Sequence, residues 1–452
     1  MRRAITRLFV ANRGEIAVRI VRACRKLGIE VIVGVSEADR ESLAARLCDR
    51  AICLGPAPAA QSYLKTGTIV TAAEGTGCQA VHPGYGFLAE NAAFQKLCAD
   101  RNLVFVGPPA AAMSAVGDKL TARHTAQRLG VPVVPGSDRV DTPDEVRRLA
   151  ADIRYPFLLK ASAGGGGRGM RIVRAAAEID GAFASARAEA RTAFNDERLY
   201  MEHYIERARH VEVQVLADEH GNAIHLGERD CSVQRRHQKL IEESPSPVVD
   251  TALRARMTDA ALRLVRHVSY VNAGTVEFIV DVDSGEFYFL EMNARIQVEH
   301  PVTEMVTGID LVAEQIRIAG GAPLTLSQSE VRAQGHAIEC RINAEMPDAN
   351  FTPSPGRITV WEPPSGPGIR VDTHCYPGYR VPPFYDSLLA KLIVHGRNRT
   401  EAVSRMKQAL GQFRVEGVHS TLPLHRAVLA HEDFTNNRIT TRWVERDFYR
   451  EA

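Results

Sequence analysis

Apolar strand segments alternate with amphipathic helix segments through the N-terminal quarter of the chain. Between RLFVA and EVIVGV, apolar residues recur at helical spacing: Ile16, Ile20, Val21, Cys24 and Leu27. QAVHPG, a helical stretch at 90–99 and LVFVGP continue the alternation. Strands that alternate with helices build parallel sheets, so this pattern predicts a doubly wound α/β domain. No GxGxxG follows the first strand, and the dinucleotide fingerprint is therefore absent there.

The pattern changes after Tyr155, where hairpins replace the alternation of strands and helices. A chain of 452 residues is too long for one hydrophobic core, so more than one domain is expected. Hairpins are predicted at 155–174, 210–228 and 274–293, with helices at 175–195 and 250–270 between them. A third region from about Val331 contains strands in HAIECRI, GRITVWE and LLAKLIVHG and a helix at 400–410. VGDKLTARHTAQRLGVP predicts a helix that Asp118 caps and Gly130 ends.

Charge and cysteine usage exclude several classes of protein. Lys and Arg number 56 against 54 for Asp and Glu, and a net charge of +2 argues against a nucleic-acid or membrane-surface binder. The longest uncharged stretch, 105–117, is too short to span a bilayer. Arg7 and Arg13 interrupt the first apolar patch too early for a signal peptide. Eight cysteines without a CxxC pair predict reduced, buried thiols and a cytoplasmic location, with structural zinc and thiol catalysis as alternatives.

A glycine run, KASAGGGGRGM, lies between two strand-like segments. A Rossmann loop opens a helix, so these glycines predict a hairpin tip instead. A tip of bare N–H groups, with Lys160 and Arg168 adding charge, suits closure over phosphates. The alternative is a floppy surface loop, which leaves the position of Lys160 unexplained. Lys119, at the first turn of its helix, indicates a shared anion or a plain surface lysine.

The segment TVEFIVDVDSGEFYFLEMNARIQVEH carries an acidic stripe. A three-residue turn at 283–285 places Glu277 opposite Glu291, whereas a two-residue turn would break this pairing. Like charges directly across a ladder repel, so a cation is expected between them. Asn293 shares the face of Glu291, and two carboxylates with an amide oxygen suit Mg²⁺.

If the chain stays extended beyond this strand, three more polar residues continue on the same face: Arg295, Gln297 and Glu299. A solvated strand edge is the alternative interpretation. Near the acidic hairpin, ERDCSVQRRHQK contains five basic side chains that predict a small-anion site, with a solvated loop as the alternative: Arg229, Arg235, Arg236, His237 and Lys239. The chain contains no GxSxG nucleophile elbow and no HExxH zinc pair.

Six strings together resemble biotin carboxylase, the ATP-grasp component of biotin-dependent carboxylases such as acetyl-CoA carboxylase: ANRGEIAVRI, HPGYGFLAEN, KASAGGGGRGM, GERDCSVQRRHQK, EMNARIQVEHPVTEM and FTPSPGRI. The resemblance covers residues 5–445. It implies a multidomain α/β and α+β fold of the ATP-grasp type. A Rossmann-like pre-ATP-grasp domain is expected at 1–116. An ATP-grasp domain at 117–328, with a mobile lid at 134–204, and a C-terminal biotin carboxylase domain at 329–452 are expected to follow.

The resemblance also implies cofactors and site residues. ATP contacts are expected from Lys119, Lys160, Gly165, Gly166, Gly167, Met170, Glu202, Ile205, His210, Gln234, His237, Glu277 and Glu291. Mg²⁺ or Mn²⁺ is expected on Glu277, Glu291 and Asn293. Bicarbonate is expected on Lys239, Arg295, Gln297 and the Val298 backbone, with Glu299 as general base. Tyr85 and Arg341 are expected to bind biotin, and Arg341 to steady its enolate. The catalytic set is therefore Glu299, Arg341, Arg295 and Lys239.

The implied reaction begins when Glu299 deprotonates bicarbonate, which then attacks the γ-phosphate of ATP to give carboxyphosphate and ADP. Carboxyphosphate would break down to CO₂ and phosphate, phosphate would take the N1′ proton of biotin, and the enolate would capture CO₂. A closed lid protects the intermediate from water. Three residues depart from the usual family pattern: His203 replaces a lysine near adenine, Ala163 replaces a glycine, and Lys26 replaces an acid. Because the family often dimerises through the helix that carries Lys26, homodimerisation stays open.

The implied partners are a biotin carboxyl carrier protein and a carboxyltransferase subunit. The one Met-Lys pair, Met406 and Lys407 in RMKQAL, lacks the Met-Lys-Met context of a biotinyl acceptor, so biotin is expected on a separate carrier. The acceptor of the parent carboxylase stays open among acetyl-CoA, propionyl-CoA, pyruvate and related compounds. Two other functions remain as alternatives: an ATP-grasp ligase whose acyl phosphate is captured by an amine, and a catalytically silent protein that only binds ATP.

Overall fold

The computed structural model describes residues 5–163 and 169–449. Its first part contains five strands: β1 Arg7–Val10, β2 Glu30–Ser36, β3 Arg50–Gly55, β4 Ala80–His82 and β5 Val104–Phe105. Four helices lie between them: α1 Gly14–Lys26, α2 Leu43–Leu47, α3 Thr66–Gly75 and α4 Ala92–Asp100. The strands pair in parallel in the order β3-β2-β1-β4-β5. This strand order confirms the doubly wound arrangement that the alternation predicts.

Two helices lead out of this first domain: α5 Ala110–Gly117 and α6 Lys119–Arg128. The Asp118 side chain accepts a hydrogen bond from the Thr121 N–H at 2.9 Å and so caps α6. Gly130 follows the helix with a positive φ of 68°. Both ends of the predicted helix are therefore confirmed, and Lys119 lies at its first position.

The predicted lid region forms a four-stranded antiparallel sheet with its own core, here called the lid sheet. Its strands are β6 Gly136–Val140, β7 Phe157–Ala161, β8 Met170–Val173 and β9 Leu199–His203, in the order β6-β9-β7-β8. The helices α7 Pro143–Ile153 and α8 Ile179–Phe194 cover it, and Val146 and Phe183 are among the core residues. The hairpin of β7 and β8 confirms the prediction, while Gly165, Gly166, Gly167 and Arg168 lie outside the described residues.

An eight-stranded antiparallel sheet, here called the long sheet, spans the rest of the chain. It is built from β10 Ala208–Ala217, β11 Ala223–Arg235, β12 Gln238–Ser244, β13 Asn272–Asp281, β14 Phe287–Asn293, β15 His336–Asn343, β20 Ile369–Thr373 and β22 Leu388–Gly396. The strand order is β14-β13-β10-β11-β12-β15-β22-β20. Strands on both sides of residue 328 thus belong to one sheet, while the boundary between the two predicted domains stays a prediction.

Helices pack on this sheet and short ribbons finish the C-terminal part. The helices are α9 Thr251–His267, α10 His300–Thr307, α11 Leu311–Ala319, α12 Arg399–Gln412, α13 Leu422–Ala430 and α14 Glu432–Thr435, followed by a π-helical turn at Val444–Phe448. The short strands are β16 Glu345–Met346, β17 Thr352–Pro353, β18 Gly356–Arg357, β19 Val360–Glu362, β21 Arg380–Val381 and β23 Arg414–Glu416. The predicted helices at 175–195, 250–270 and 400–410 are confirmed.

All eight cysteines are free thiols, but they are not all buried. Six are buried, whereas Cys48 is half-buried and Cys53 is exposed, so the prediction of buried thiols is wrong for these two. Cys53 lies on β3, the edge strand of the parallel sheet, where one side of the strand faces solvent. Within residues 5–163 and 169–449, no helix has the length and apolar content that a bilayer span needs.

Candidate active site

A cavity of about 730 Å³ lies between the lid sheet and the long sheet. Its wall includes residues from β7, β8 and β9 on one side and from β10 to β15 on the other. Every site residue that the resemblance implies and the structure describes lines this cavity: Tyr85, Lys119, Lys160, Met170, Glu202, Ile205, His210, Gln234, His237, Lys239, Glu277, Glu291, Asn293, Arg295, Gln297, Val298, Glu299 and Arg341. The roles assigned to them stay predictions; their common location is an observation.

The acidic hairpin has the predicted pairing of Glu277 with Glu291, but it reaches that pairing differently. The turn holds four residues, 282–285, because the Asp281 N–H donates to the Glu286 carbonyl at 2.8 Å. A bulge at Leu290 then shifts the register by one and restores the pairing. The predicted three-residue turn is therefore wrong, and the bulge compensates for the longer turn.

Cations lie beside both acids of this pair, as the repulsion between them requires. Lys119 Nζ lies 3.5 Å from Glu291 Oε2. His210 Nε2 lies 2.9 Å from Glu277 Oε2, and Lys239 Nζ lies 3.0 Å from the other oxygen of Glu277. The acidic stripe is therefore balanced by side chains from α6, β10 and β12.

Lys239 is the centre of this charged cluster. Its ammonium group donates to Glu212 at 2.7 Å, to Glu277 at 3.0 Å and to Glu299 at 2.6 Å. Arg236 and His237 connect β11 to β12 with positive φ at both positions, the geometry of a tight two-residue hairpin turn. This turn places Lys239 in the ladder directly beside the end of β11.

Glu299 lies between two cations at the N-terminus of α10. One carboxylate oxygen accepts from Lys239, and the other accepts from Arg341 Nη2 at 2.8 Å. Arg341 Nε in turn donates to Glu242 Oε1 at 2.6 Å. Glu299 is only 2% exposed, so these two cations are what keep its charge in the interior.

The segment after β14 does not stay extended, and that expectation is wrong. The strand ends at Asn293 and the chain bends before α10 begins at His300. Arg295 nevertheless reaches back to donate to Asn293 Oδ1 at 3.0 Å. Gln297 donates to Glu277 Oε1 at 2.7 Å. A bend, rather than strand alternation, therefore brings these side chains to the cavity.

The opposite end of the cavity is apolar, with charges buried at its edge. Lys160 Nζ lies 2.7 Å from Glu202 Oε2, and Arg123 Nη1 lies 3.0 Å from Glu202 Oε1. The apolar wall beside them can take a flat ring: Val134, Leu158, Met170, Ile205, Ile279 and Leu290. His203 also lines this end, and its buried Nδ1 has no hydrogen-bond partner among the described residues.

The second cationic group separates in the fold, so the prediction that its five side chains form one anion site is wrong. His237 and Lys239 line the cavity, whereas Arg229, Arg235 and Arg236 do not. Arg229 is fully buried and donates to Glu212 at 2.6 Å and to Gln297 at 2.8 Å. Register shifts between Asp230 and Gln234 and the two-residue turn at Arg236 and His237 interrupt the strand alternation, which is why a compact basic string disperses.

The electrostatics of the cavity favour charged groups despite their burial. Burial alone would favour the neutral acids, but Lys239 and other nearby cations lower the pKa of Glu277 and Glu299 below the ordinary range. Burial likewise opposes the charge of Lys239, yet the groups facing it, Cys231 and three carboxylates among them, raise its pKa above the ordinary value. The charged forms of Glu277, Glu299 and Lys239 thus stabilise one another.

Several polar residues of the site escaped the sequence reasoning, and Arg229 was assigned to a different group. Glu212 accepts from Lys239 and from Arg229, and Arg229 also donates to Gln297. Glu90 Oε2 accepts from Arg295 Nε at 2.8 Å. Lys391, fully buried, donates to the Val298 carbonyl at 2.8 Å. One signal was available, because the alternation in HVEVQV puts Glu212 on the same strand face as His210.

The donor set at the acidic hairpin fits a hard divalent cation. Glu277 and Glu291 face each other across the ladder and Asn293 follows on the same strand, so oxygen donors converge on one side of the cavity. His210, Glu212 and Glu277 also offer ligand atoms within 4.8 Å of one another. Carboxylate and amide oxygens are the ligands that Mg²⁺ takes, together with phosphate oxygens.

Family models match nearly the whole chain. They are the biotin carboxylase N-terminal domain at residues 4–113, the ATP binding domain of the carbamoyl-phosphate synthase L chain at 118–327, and the biotin carboxylase C-terminal domain at 339–446. Biotin carboxylase 1 of Bacillus subtilis is 53% identical over 442 residues, covering 98% of both chains. The biotin carboxylase of a Nostoc species is 52% identical over 440 residues and covers 97% of this chain and 98% of its own.

Solved structures agree with these relatives. A Campylobacter jejuni biotin carboxylase in complex with β,γ-ATP has a TM-score of 0.95 at 46% identity, covering 98% of this chain and 99% of that one. The biotin carboxylase domain dimer of Hydrogenobacter thermophilus 2-oxoglutarate carboxylase, in complex with MgADP, ADP and bicarbonate, has a TM-score of 0.94 at 46% identity, with 98% of each chain covered. This chain belongs to the biotin carboxylase family and has its ATP-grasp fold.

Proposed function

We propose that this ligase uses ATP and bicarbonate to carboxylate biotin that is held on a carrier protein. The observation that carries the proposal is the position of Glu299, which contacts both Lys239 and Arg341, while Lys239 also contacts Glu277 of the acidic hairpin. Glu299, the expected general base, is thus connected through Lys239 to the acidic hairpin, where the nucleotide phosphates are expected. It also contacts Arg341, which is expected to bind biotin.

The nucleotide occupies the cavity with its base against the apolar wall and its phosphates toward the acidic hairpin. Lys119 and Lys160, with the backbone of Gly165, Gly166 and Gly167, bind the phosphates. The remaining members of the ATP set are those already placed on the cavity wall: Met170, Glu202, Ile205, His210, Gln234, His237, Glu277 and Glu291. Catalysis of phosphoryl transfer depends mainly on such positioning and on charge stabilisation.

Mg²⁺ or Mn²⁺ would be held by Glu277, Glu291 and Asn293, whose oxygens suit a hard cation. The metal would offset the charge that develops on the transferred phosphoryl group. Lys119, His210 and Lys239 lie beside the same two acids.

Bicarbonate binds to Lys239, Arg295, Gln297 and the Val298 backbone, and Glu299 removes its proton. With both cations on Glu299, the pKa of this carboxyl lies too low for an effective base. An anion that takes over part of the hydrogen bonding of Lys239 weakens that contact, and the pKa of Glu299 then rises. Substrate binding therefore activates the base, and the deprotonated oxygen attacks the γ-phosphate to give carboxyphosphate and ADP.

Biotin binds beside Tyr85 and Arg341. Carboxyphosphate releases CO₂ and phosphate, the phosphate takes the N1′ proton of biotin, and Arg341 stabilises the resulting enolate until it captures CO₂. Tyr85 lines the cavity and its hydroxyl donates to Glu15. The guanidinium of Arg341 is permanently charged, and burial beside Glu242 and Glu299 does not change that.

The proposed partners are a biotin carboxyl carrier protein and a carboxyltransferase subunit, with a second copy of this chain as a further partner and the cytoplasm as the location. Met406 is buried in the core on α12, so the neighbouring Lys407 is anchored on a helix rather than at an exposed hairpin tip. A helical lysine with its preceding methionine buried does not suit a biotinyl acceptor. The lysine that carries biotin is therefore assigned to a segment outside residues 1–452.

The test compares the wild-type chain with Glu299→Gln in ADP formation and in the carboxylation of free biotin. The variant is expected to lose activity about 10²- to 10⁴-fold, the usual contribution of a general base. ADP formation by the wild-type chain is expected to require bicarbonate and to rise with biotin. Full activity of Glu299→Gln would exclude this base, and ADP formation without bicarbonate would favour the ligase that captures an acyl phosphate with an amine.

Glu286→Gln is the matched control, because it makes the same substitution at an exposed position away from the cavity. Glu286 lies at the turn of the acidic hairpin and pairs with Arg256 on the surface. Its replacement is expected to leave both activities unchanged. A loss of activity in this control would show that the loss in Glu299→Gln is not specific to the position of Glu299.

A further inference from the structure

Two buried carboxyl groups face each other directly behind the arginine of the site. Glu242 on β12 and Glu339 on β15 are paired in the antiparallel ladder, and both side chains are fully buried. Neither oxygen of Glu339 has a hydrogen-bond partner among the described residues, and Oε2 of Glu242 has none either. Two ionised carboxylates in this arrangement would repel each other, and Glu339 has no hydrogen bond among the described residues to offset that repulsion.

The cations near this pair are already occupied. Arg341 is held by Glu242 and Glu299 at 2.6 and 2.8 Å. Lys391 is held by Glu15 at 3.0 Å and by the Val298 carbonyl at 2.8 Å. Lys239 is likewise held by Glu212, Glu277 and Glu299. No cation is therefore in direct contact with Glu339 among the described residues.

The groups that face the pair come from five elements: Lys239 from β12, Cys340 and Arg341 from β15, Lys391 from β22, Cys231 from β11 and Glu299 from the turn before α10. Burial is the largest influence on both acids. It raises the pKa of Glu242 to about 7 and the pKa of Glu339 well above its ordinary value. Interacting acids of this kind titrate as a pair, with one proton held far above the usual range.

We propose that Glu242 and Glu339 hold one proton between them, and that Glu242 is thereby the positioning residue for Arg341. Glu242 accepts from Nε of Arg341, which fixes the plane of the guanidinium and directs Nη2 toward Glu299 and the cavity. One negative charge behind Arg341, rather than two, leaves more of its positive charge to stabilise an enolate. The role of Arg341 toward biotin rests on the proposed function; the shared proton does not.

The proton is tested by infrared difference spectroscopy of the intact chain. At pH 8, ordinary carboxyl groups are ionised, so a protonated acid is visible by its carbonyl stretch. Glu339→Gln is expected to remove one such band relative to the wild-type chain. It is also expected to keep biotin carboxylation within about twofold, because a neutral amide replaces a neutral acid of the same shape. An unchanged band, or a large loss of activity, would overturn the shared proton.

The positioning role is tested by kinetics of Glu242→Gln. This variant is expected to lower kcat/KM for biotin about tenfold or more, as the loss of a charge-assisted hydrogen bond to Arg341 predicts, while bicarbonate-dependent ADP formation without biotin persists. Glu242→Asp, which keeps the acid, is expected to recover part of the loss. Equal loss of both activities would overturn the positioning role. A wild-type chain that fails to carboxylate biotin would refute the proposed function. The infrared result would still show whether Glu242 and Glu339 share a proton.

Discussion

Replacement of Arg229 by methionine is expected to destabilise the long sheet. Arg229 is fully buried and makes hydrogen bonds to Glu212, Gln297, Gln214, Thr275 and Thr303, at 2.6, 2.8, 2.7, 3.2 and 3.0 Å respectively. Methionine fills the space of the aliphatic stem but provides no charge and no donors. Glu212, also fully buried, would keep only Lys239 as a charged partner.

The size of the effect follows from the burial of the pair. Breaking a buried ion pair by removing one partner costs roughly 3–5 kcal/mol, because the other charge stays in the interior. With an unfolding entropy of about 2.1 cal/mol/K per residue, 4 kcal/mol lowers Tm by about 4 °C if all 452 residues unfold together. If only residues 118–327 unfold as a unit, the same cost lowers Tm by about 9 °C.

Thermal unfolding followed by circular dichroism measures this shift, with Arg256→Met as the matched control. Arg256 and Glu286 form an ion pair in which both side chains are about half exposed, and such surface pairs contribute about 0–1 kcal/mol. The control is therefore expected to unfold within about 1 °C of the wild-type chain if all residues unfold together, and within about 2 °C if only residues 118–327 do. Adding Glu212→Gln to Arg229→Met removes the unpaired charge and is expected to recover part of the lost stability.

A Tm of Arg229→Met that matches the control would refute the reasoning. It would mean that Glu212 is neutralised or solvated without Arg229, and that the buried contacts contribute little net free energy. A double variant that is less stable than Arg229→Met would refute a narrower point. In that case the unpaired charge of Glu212 would not be the source of the loss.

Three further outcomes are expected. Burial opposes the charge of Glu243, but His336 and Arg399 outweigh that effect and lower the pKa of Glu243 to about 2 from 4.5. Glu243→Gln should therefore lose about 3 kcal/mol of unfolding free energy above pH 5. In denaturant titrations, the difference from the wild-type chain should shrink as pH falls toward 2. Cys53 should react with a thiol reagent before the buried cysteines, and Cys53→Ser should abolish the fast phase of thiol labelling. Gly417→Ala should destabilise the protein by about 1 kcal/mol or more, because φ at Gly417 is +93° and a Cβ would lie 2.1 Å from the Arg357 carbonyl oxygen. Gly411→Ala, at an exposed position of α12, should stabilise the protein by about 0.5–1 kcal/mol in the same unfolding assay.

The sequence predicted the elements of the fold well because their patterns are local. Alternation predicted the parallel sheet, and the caps at Asp118 and Gly130 predicted both ends of a helix. The acidic hairpin shows the limit of such reasoning. The pairing of Glu277 with Glu291 was correct although the turn was one residue longer than expected, since the bulge at Leu290 is set by packing that a register argument does not include.

The candidate site was predictable mainly through the resemblance. Local patterns predicted Glu277, Glu291 and Asn293, but they predicted the contributions of Arg295, Gln297 and Glu299 through an extended strand that does not exist. The partners of Arg341 and Lys239 come from other strands, so Glu242 carried no local signal of its contact with Arg341. Glu212 carried only the strand alternation that places it on the face of His210. Arg229 was misassigned because a basic string does not reveal which side chains face inward.

The continuous ladder of the long sheet limits how this chain can be divided. β12, which carries Lys239, is hydrogen-bonded to β15, which carries Arg341, although 91 residues lie between the end of β12 at Ser244 and the start of β15 at His336. A protein engineer who expressed 117–328 and 329–452 separately would leave β12 with an open edge, and open edges recruit strands from other molecules. Such fragments should precipitate unless they are produced together, so complementation by co-expression is the route to a split version of this enzyme.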